Sequence, residues 1–226
     1  MSAPGSDGGF AALVAGSVHD AKNALAIVLQ RLDDLAARSD DRATQAEIAE
    51  TQDELKRVNQ MLVRLLTWYK LGEQRYALDF ADCAVADLFD ELQLSHRAVL
   101  ALHKIELSCE ADGDLEAYFD FNLVSGVVGN ALSNAARHAR SRVRLAAEAA
   151  DGGVVLSVED DGPGYPAALL NGQGGDESGF ADGNTGLGLR FAEVVASVHR
   201  RGSLRGRSSC DNHSTLGGAR WRLYLP

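Results

Sequence analysis

Proline and cysteine are scarce in this chain, with four and three residues among 226, and tryptophan occurs only twice. None of the prolines falls between Phe10 and Leu71, so nothing there breaks a long helix. Cys83, Cys109 and Cys210 are far apart and odd in number, which excludes a disulfide framework and suits reduced thiols of a cytoplasmic protein. Apolar stretches meet a charge or a glycine well before 18 residues, so no membrane span is expected. The N-terminus lacks the basic flank and apolar run of a signal peptide, and the small, polar residues 1–9 read as a loose tail. Basic residues are also short, 22 Lys+Arg against 32 Asp+Glu, for a net charge of -10. That balance argues against nucleic acid as a partner, because phosphate backbones need clustered positive charge.

What is present is 46% hydrophobic sequence with two periodicities. Val14, Val18, Ala21, Leu25, Val28, Leu32 and Leu35 alternate spacings of four and three, the seam of one long helix. Ser39-Asp40-Asp41 supplies turn and N-cap chemistry, and a second seam follows through Ile48, Leu55, Val58, Leu62, Leu65 and Tyr69. So short a break makes the two helices antiparallel neighbours, and two such hairpins in a homodimer would close a four-helix bundle. After Gly72 strand-like runs appear at 76–80, 105–109, 143–147, 154–158 and 221–225, between helical stretches at 85–100, 121–138 and 187–199. This alternation indicates a sheet covered by helices. The glycine-rich run 171–183 reads as a mobile loop.

Four clusters carry candidate chemistry. In His19-Asp20-Ala21-Lys22-Asn23 the histidine lies at the edge of the first seam, with a carboxylate beside it and an amide one turn on. A neighbouring carboxylate can fix the imidazole tautomer and free the other nitrogen as a nucleophile, although the same residues also make an ordinary polar helix face. Asn130, Asn134 and Arg137 fall within about 60° of each other on a helix, presenting two amides and a guanidinium from one side. An amide oxygen suits Mg²⁺ and a guanidinium suits phosphate. Asp160-Asp161-Gly162-Pro163-Gly164 follows a β-branched strand, where a carboxylate can accept from an exocyclic amine while glycines admit a ring. Gly186-Leu187-Gly188 opens a helix whose N–H groups can meet phosphate. Each of the last two is a weak pattern alone.

Taken in order, the four resemble the H, N, G1 and G2 boxes of a bacterial two-component sensor histidine kinase core, with Asp120 where that family often has an acid. The resemblance spans 10–226 and implies an α+β protein. A dimerisation and phosphotransfer hairpin would occupy 10–72, and an α/β-sandwich ATP-binding domain of the Bergerat type 73–226. It implies ATP and Mg²⁺: Asn134 on the metal with Asn130 assisting, Asp160 on the adenine amine beside Gly162 and Gly164, and Arg137, Gly186 and Gly188 on phosphates. His19 would be the nucleophile and Asp20 its orienting base, while Asn23 would place water for dephosphorylation. A response-regulator receiver domain would accept the phosphoryl group. Departures are Ala24 for the usual proline, no phenylalanine-rich box unless Phe180 stands in, and Ala219 for a threonine near the adenine. With no sensor domain ahead of the hairpin, either a separate sensor protein supplies the signal or this is the core of a longer kinase. Two rivals are a histidine phosphotransfer protein whose ATP domain has decayed to a docking module, and an anti-sigma-type serine kinase of the same ATP fold.

Overall fold

The computed structural model of the protein describes residues 7–73, 75–170 and 187–226. The chain divides into two compact units, Met1–Tyr76 and Ala77–Pro226. In the first, α1 (Asp7–Arg38) and α2 (Arg42–Gly72) pack on each other as a hairpin. Asp41 is the N-cap of α2, its carboxylate accepting from the Thr44 N–H at 2.9 Å and the Thr44 hydroxyl at 2.7 Å. Between the helices the Gln52 side-chain amide donates to Asp33 at 2.8 Å. The expected tail lies outside the described residues up to residue 6, and residues 7–9 are already helical. No helix among the described residues is long and apolar enough to cross a membrane.

The second unit runs β1 (Phe80–Ala84), α3 (Val85–Leu102), β2 (Glu106–Glu110), β3 (Glu116–Asp120), α4 (Phe121–His138), β4 (Arg142–Ala150) and β5 (Gly153–Asp160). After α5 (Ala167–Leu170) come α6 (Leu187–Val198), β6 (Arg200–Arg201), β7 (Leu204–Arg205), β8 (Arg207–Asp211) and β9 (Arg220–Leu225). The main sheet has the order β2-β4-β5-β9-β8, with only the β2–β4 pair parallel. Helices α3, α4 and α6 pack on it and on one another. The core includes Leu88, Leu92, Leu132, Leu145, Leu156 and Leu223, all at most 1% exposed. The α+β expectation, a helical hairpin followed by an α/β unit, therefore holds.

Strand positions hold less evenly. The run at 76–80 is not a strand: β1 begins at Phe80 and pairs with β3, unforeseen in the sequence. Tyr76, Leu78 and Phe80 imitate strand alternation, yet Leu78 is exposed, and the true pairing joins segments some three dozen residues apart. Edge strand β8, Arg-Ser-Ser-Cys-Asp, carries almost no apolar signal. Asp120 joins these parts: it caps α4 by accepting from Leu123 N–H at 3.0 Å and accepts the Asp79 N–H at 2.9 Å. Its own N–H donates to Nε2 of buried His199, whose Nδ1–H donates to the Val195 carbonyl at 2.7 Å. This fixes the His199 tautomer, and burial pushes its pKa down. The start of α4 and the end of α6 are thereby tied together.

Candidate functional site

Helix α4 turns its apolar face, including Val124, Val128 and Leu132, into the core, which leaves its amides on the other side. Asn134 lines a cavity of about 190 Å³ together with His138, Asp160, Tyr165, Ala219 and Trp221. Asn130, one turn earlier, meets the first turn of α6: a Cβ on Gly188 would overlap the Asn130 amide, so the close approach requires glycine. Arg137 is half-buried further along α4 and is not among the residues lining the cavity. Gly186 and the glycine-rich run, with Phe180, lie outside the described residues.

Asp160 ends β5 with its carboxylate 5% exposed at the cavity wall. Its Oδ1 accepts from the Gly162 N–H at 2.8 Å and the Ala219 N–H at 3.1 Å. Its backbone N–H donates to the Ala219 carbonyl at 3.0 Å. The bonds to the carboxylate fall on Oδ1, and among the described residues none is made to Oδ2. Apart from Asn134 and His138 the cavity is walled by alanine, valine, proline, glycine, tyrosine and tryptophan, so a donor on a bound ligand would gain from that carboxylate. Gly164 is also required, with φ of +85° where other residues strain.

Two residues supporting this turn were not evident in the sequence. Asn212 clamps Tyr165, accepting its N–H at 2.6 Å and donating to its carbonyl at 3.0 Å. Asp161 accepts from Arg140 N–H at 2.8 Å and from Ser141 N–H and hydroxyl at 3.1 and 2.8 Å, binding the turn to the α4–β4 connection. Burial pushes its pKa up, but these bonds and the Arg142 N–H outweigh that and hold it at about 2. Since this lies below the ordinary 3.8, the contribution to stability is complete above about pH 4 and is lost as pH falls toward 2. Asp161→Ala, which removes the acceptor from these donors, should cost about 2 kcal/mol at neutral pH and remove that acid-dependent loss, as read by thermal melts against pH. The signal was the run Glu159-Asp160-Asp161, in which strand alternation turns only the middle carboxylate to the cavity.

In the helical unit His19 and Asp20 are exposed, with side chains 71% and 85% accessible. His19 Nδ1 lies 3.6 Å from the Asp20 carboxylate and 3.3 Å from the Asn23 amide nitrogen. The two neighbours compete for one ring nitrogen. Asp20 favours a proton on Nδ1, which leaves a lone pair on Nε2; an Asn23 N–H donated to Nδ1 places the proton on Nε2. Among the described residues the hydrogen-bond and ion-pair contacts of His19 fall on Nδ1.

Residues 120–226 match the family model of the histidine kinase-, DNA gyrase B- and HSP90-like ATPases. The sensor protein kinase CarS of Pseudomonas aeruginosa is 33% identical over 92% of this chain, and the chain spans 44% of its length. The sensor histidine kinase component HK1 of Mycobacterium tuberculosis is 31% identical over 54% of this chain, which covers 71% of that protein. Among solved structures, the histidine kinase AdeS of Acinetobacter baumannii shares the fold with a TM-score of 0.59 at 17% identity, over 89% of this chain and 94% of AdeS.

Proposed function

Because this chain belongs to the histidine kinases of bacterial two-component signalling, we propose that it binds ATP in the Asp160 cavity, phosphorylates His19 and passes the phosphoryl group to a receiver-domain aspartate. The observation that carries the nucleotide reading is Asp160: a buried carboxylate with one oxygen pinned, at the wall of a slot lined mainly by apolar and aromatic side chains. An adenine supplies both the flat apolar face and the amine. Asn134 at the cavity and Asn130 against Gly188 then fall toward the phosphates, with Arg137 and Gly186 as further phosphate contacts. Gly162 and Gly164 shape the turn under the ring.

Among the described residues no three acidic, histidine or cysteine side chains gather as a metal site. A lone amide oxygen, that of Asn134, fits Mg²⁺, which keeps most of its shell as water and phosphate oxygen. Bound there, the ion would offset phosphate charge. His19 Nε2 attacks the γ-phosphorus in line, an N–P bond forms, the bond to the bridging oxygen breaks and ADP leaves. Asp20 holds the Nδ1 proton and the positive charge that develops on the ring. Asn23, released from Nδ1, is free to position water for the reverse, phosphatase direction.

The helical unit supports a homodimer. Val28 and Leu35 on α1, and Val58 and Leu65 on α2, are spaced seven apart and 36–51% exposed, an apolar stripe on each helix that a second copy would cover in a four-helix bundle. Leu62→Glu should weaken self-association at least about tenfold in sedimentation while nucleotide affinity is unchanged. A separate sensor protein remains a proposed further partner. Calorimetric titration of the full chain with ATP, with and without Mg²⁺, tests the site; an absence of binding in both would favour the docking-only reading.

A further inference from the structure

We propose that the chain Arg144–Glu159–Thr215, centred on the buried Glu159 carboxylate, is a strut that aims the base-reading oxygen of Asp160, which makes Glu159 a positioning residue for a cavity it does not line. This rests on the nucleotide reading above. Glu159 and Asp160 are consecutive on β5, so their side chains leave the strand on opposite faces. Asp160 faces the cavity; Glu159 faces away and is only 3% exposed. Its Oε1 accepts from the Arg144 guanidinium at 3.1 Å, directly across the β4–β5 register. Arg144 in turn donates to Glu110 on β2 at 2.6 Å, so the pair is anchored across three strands.

The other oxygen of Glu159 is spent on a loop. Its Oε2 accepts from both the N–H of Thr215 at 2.6 Å and the Thr215 hydroxyl at 2.8 Å. Thr215 belongs to the 212–219 connection between β8 and β9, which has no strand or helix of its own. That same connection delivers three donors to Asp160. The Ser214 hydroxyl and the Gly218 N–H reach its carbonyl at 2.8 and 3.0 Å, and the Ala219 N–H reaches Oδ1 at 3.1 Å. Alanine at 219 offers no hydroxyl, so its backbone N–H is all this position gives the carboxylate. Where Thr215 is held thus decides where that N–H sits. With the loop released, Oδ1 loses a pin and the carboxylate can rotate Oδ2 out of aim, without any change at Asn134.

The strut therefore predicts a loss confined to recognition of the base amine. Affinities of the full chain for ATP and for purine riboside triphosphate, which lacks that amine, separate the possibilities when both are measured with Mg²⁺. The wild type should prefer ATP on the order of tenfold or more, the worth of a hydrogen bond to a buried charge. Thr215→Val and Glu159→Gln should shrink that preference to within about threefold by weakening ATP alone, and Thr215→Ser should restore it. Thr215 is exposed, so its variant carries the test even where Glu159→Gln does not fold. Equal weakening of both nucleotides in Thr215→Val, or an undiminished preference, would overturn the strut. A wild type that binds both nucleotides alike would instead overturn the assignment of Asp160 to the base.

Discussion

Replacing His19 by alanine is expected to abolish phosphoryl transfer from ATP to the chain while leaving ATP affinity at the wild-type value. The nucleophile and the nucleotide cavity belong to different units, 1–76 and 77–226. Loss of the nucleophile therefore has no route to the binding constant. Asp20→Asn is the finer probe of the same step. It keeps the ring and the approximate shape but removes the charge 3.6 Å from Nδ1. With only the Asn23 amide left to contend for Nδ1, the ring shifts toward the tautomer whose proton sits on Nε2, the attacking atom. A rate reduced about 10²–10⁴-fold, the usual worth of a placed acid–base group, should follow in single-turnover labelling. Partial rescue by Asn23→Ala in the Asp20→Asn background would identify competition for Nδ1 as the cause.

The second large effect separates two contributions to nucleotide binding. Asp160→Ala deletes the one carboxylate that lines the cavity among the described residues and unpairs the N–H groups of Gly162 and Ala219 with it. Affinity for ATP should fall by about 2–3 kcal/mol, roughly 30- to 150-fold, whether or not Mg²⁺ is present. Asn134→Ala removes an amide oxygen and leaves the base contacts alone. Its loss should appear chiefly when Mg²⁺ is present and nearly vanish in chelator. Calorimetry on both variants in both conditions reads the difference, and a Mg²⁺-independent loss in Asn134→Ala would remove the metal role from that side chain.

The helices were legible because their apolar spacing is local. α4 has the bounds 121–138 that its pattern suggests, capped by Asp120, and Asp41 caps α2 as its place after the polar break implies. β5, with its three valines, and β4, with Val143 and Leu145 alternating with arginines, were legible for the same reason. β1 and β3 were not, since they pair across more than 30 residues, nor was β8, whose sequence is polar. The site divides in the same way. Motif residues brought together in the structure, Asn134 with Asp160 at one cavity and Asn130 against Gly188, had chemistry readable from residue type and spacing. Asn212, Ser214 and Thr215 carry no such pattern. They matter through hydrogen bonds to residues more than 40 positions away, which only the folded sheet reveals.

The full chain is incubated with γ-labelled ATP and Mg²⁺, and the labelled protein is then split between acid and base. A phosphoryl group on imidazole nitrogen leaves readily once that nitrogen is protonated, whereas a phosphate ester of serine or threonine survives acid. The account predicts label that is lost in acid, kept in base and absent from His19→Ala. Acid-stable label, or acid-labile label that persists in His19→Ala, would contradict it.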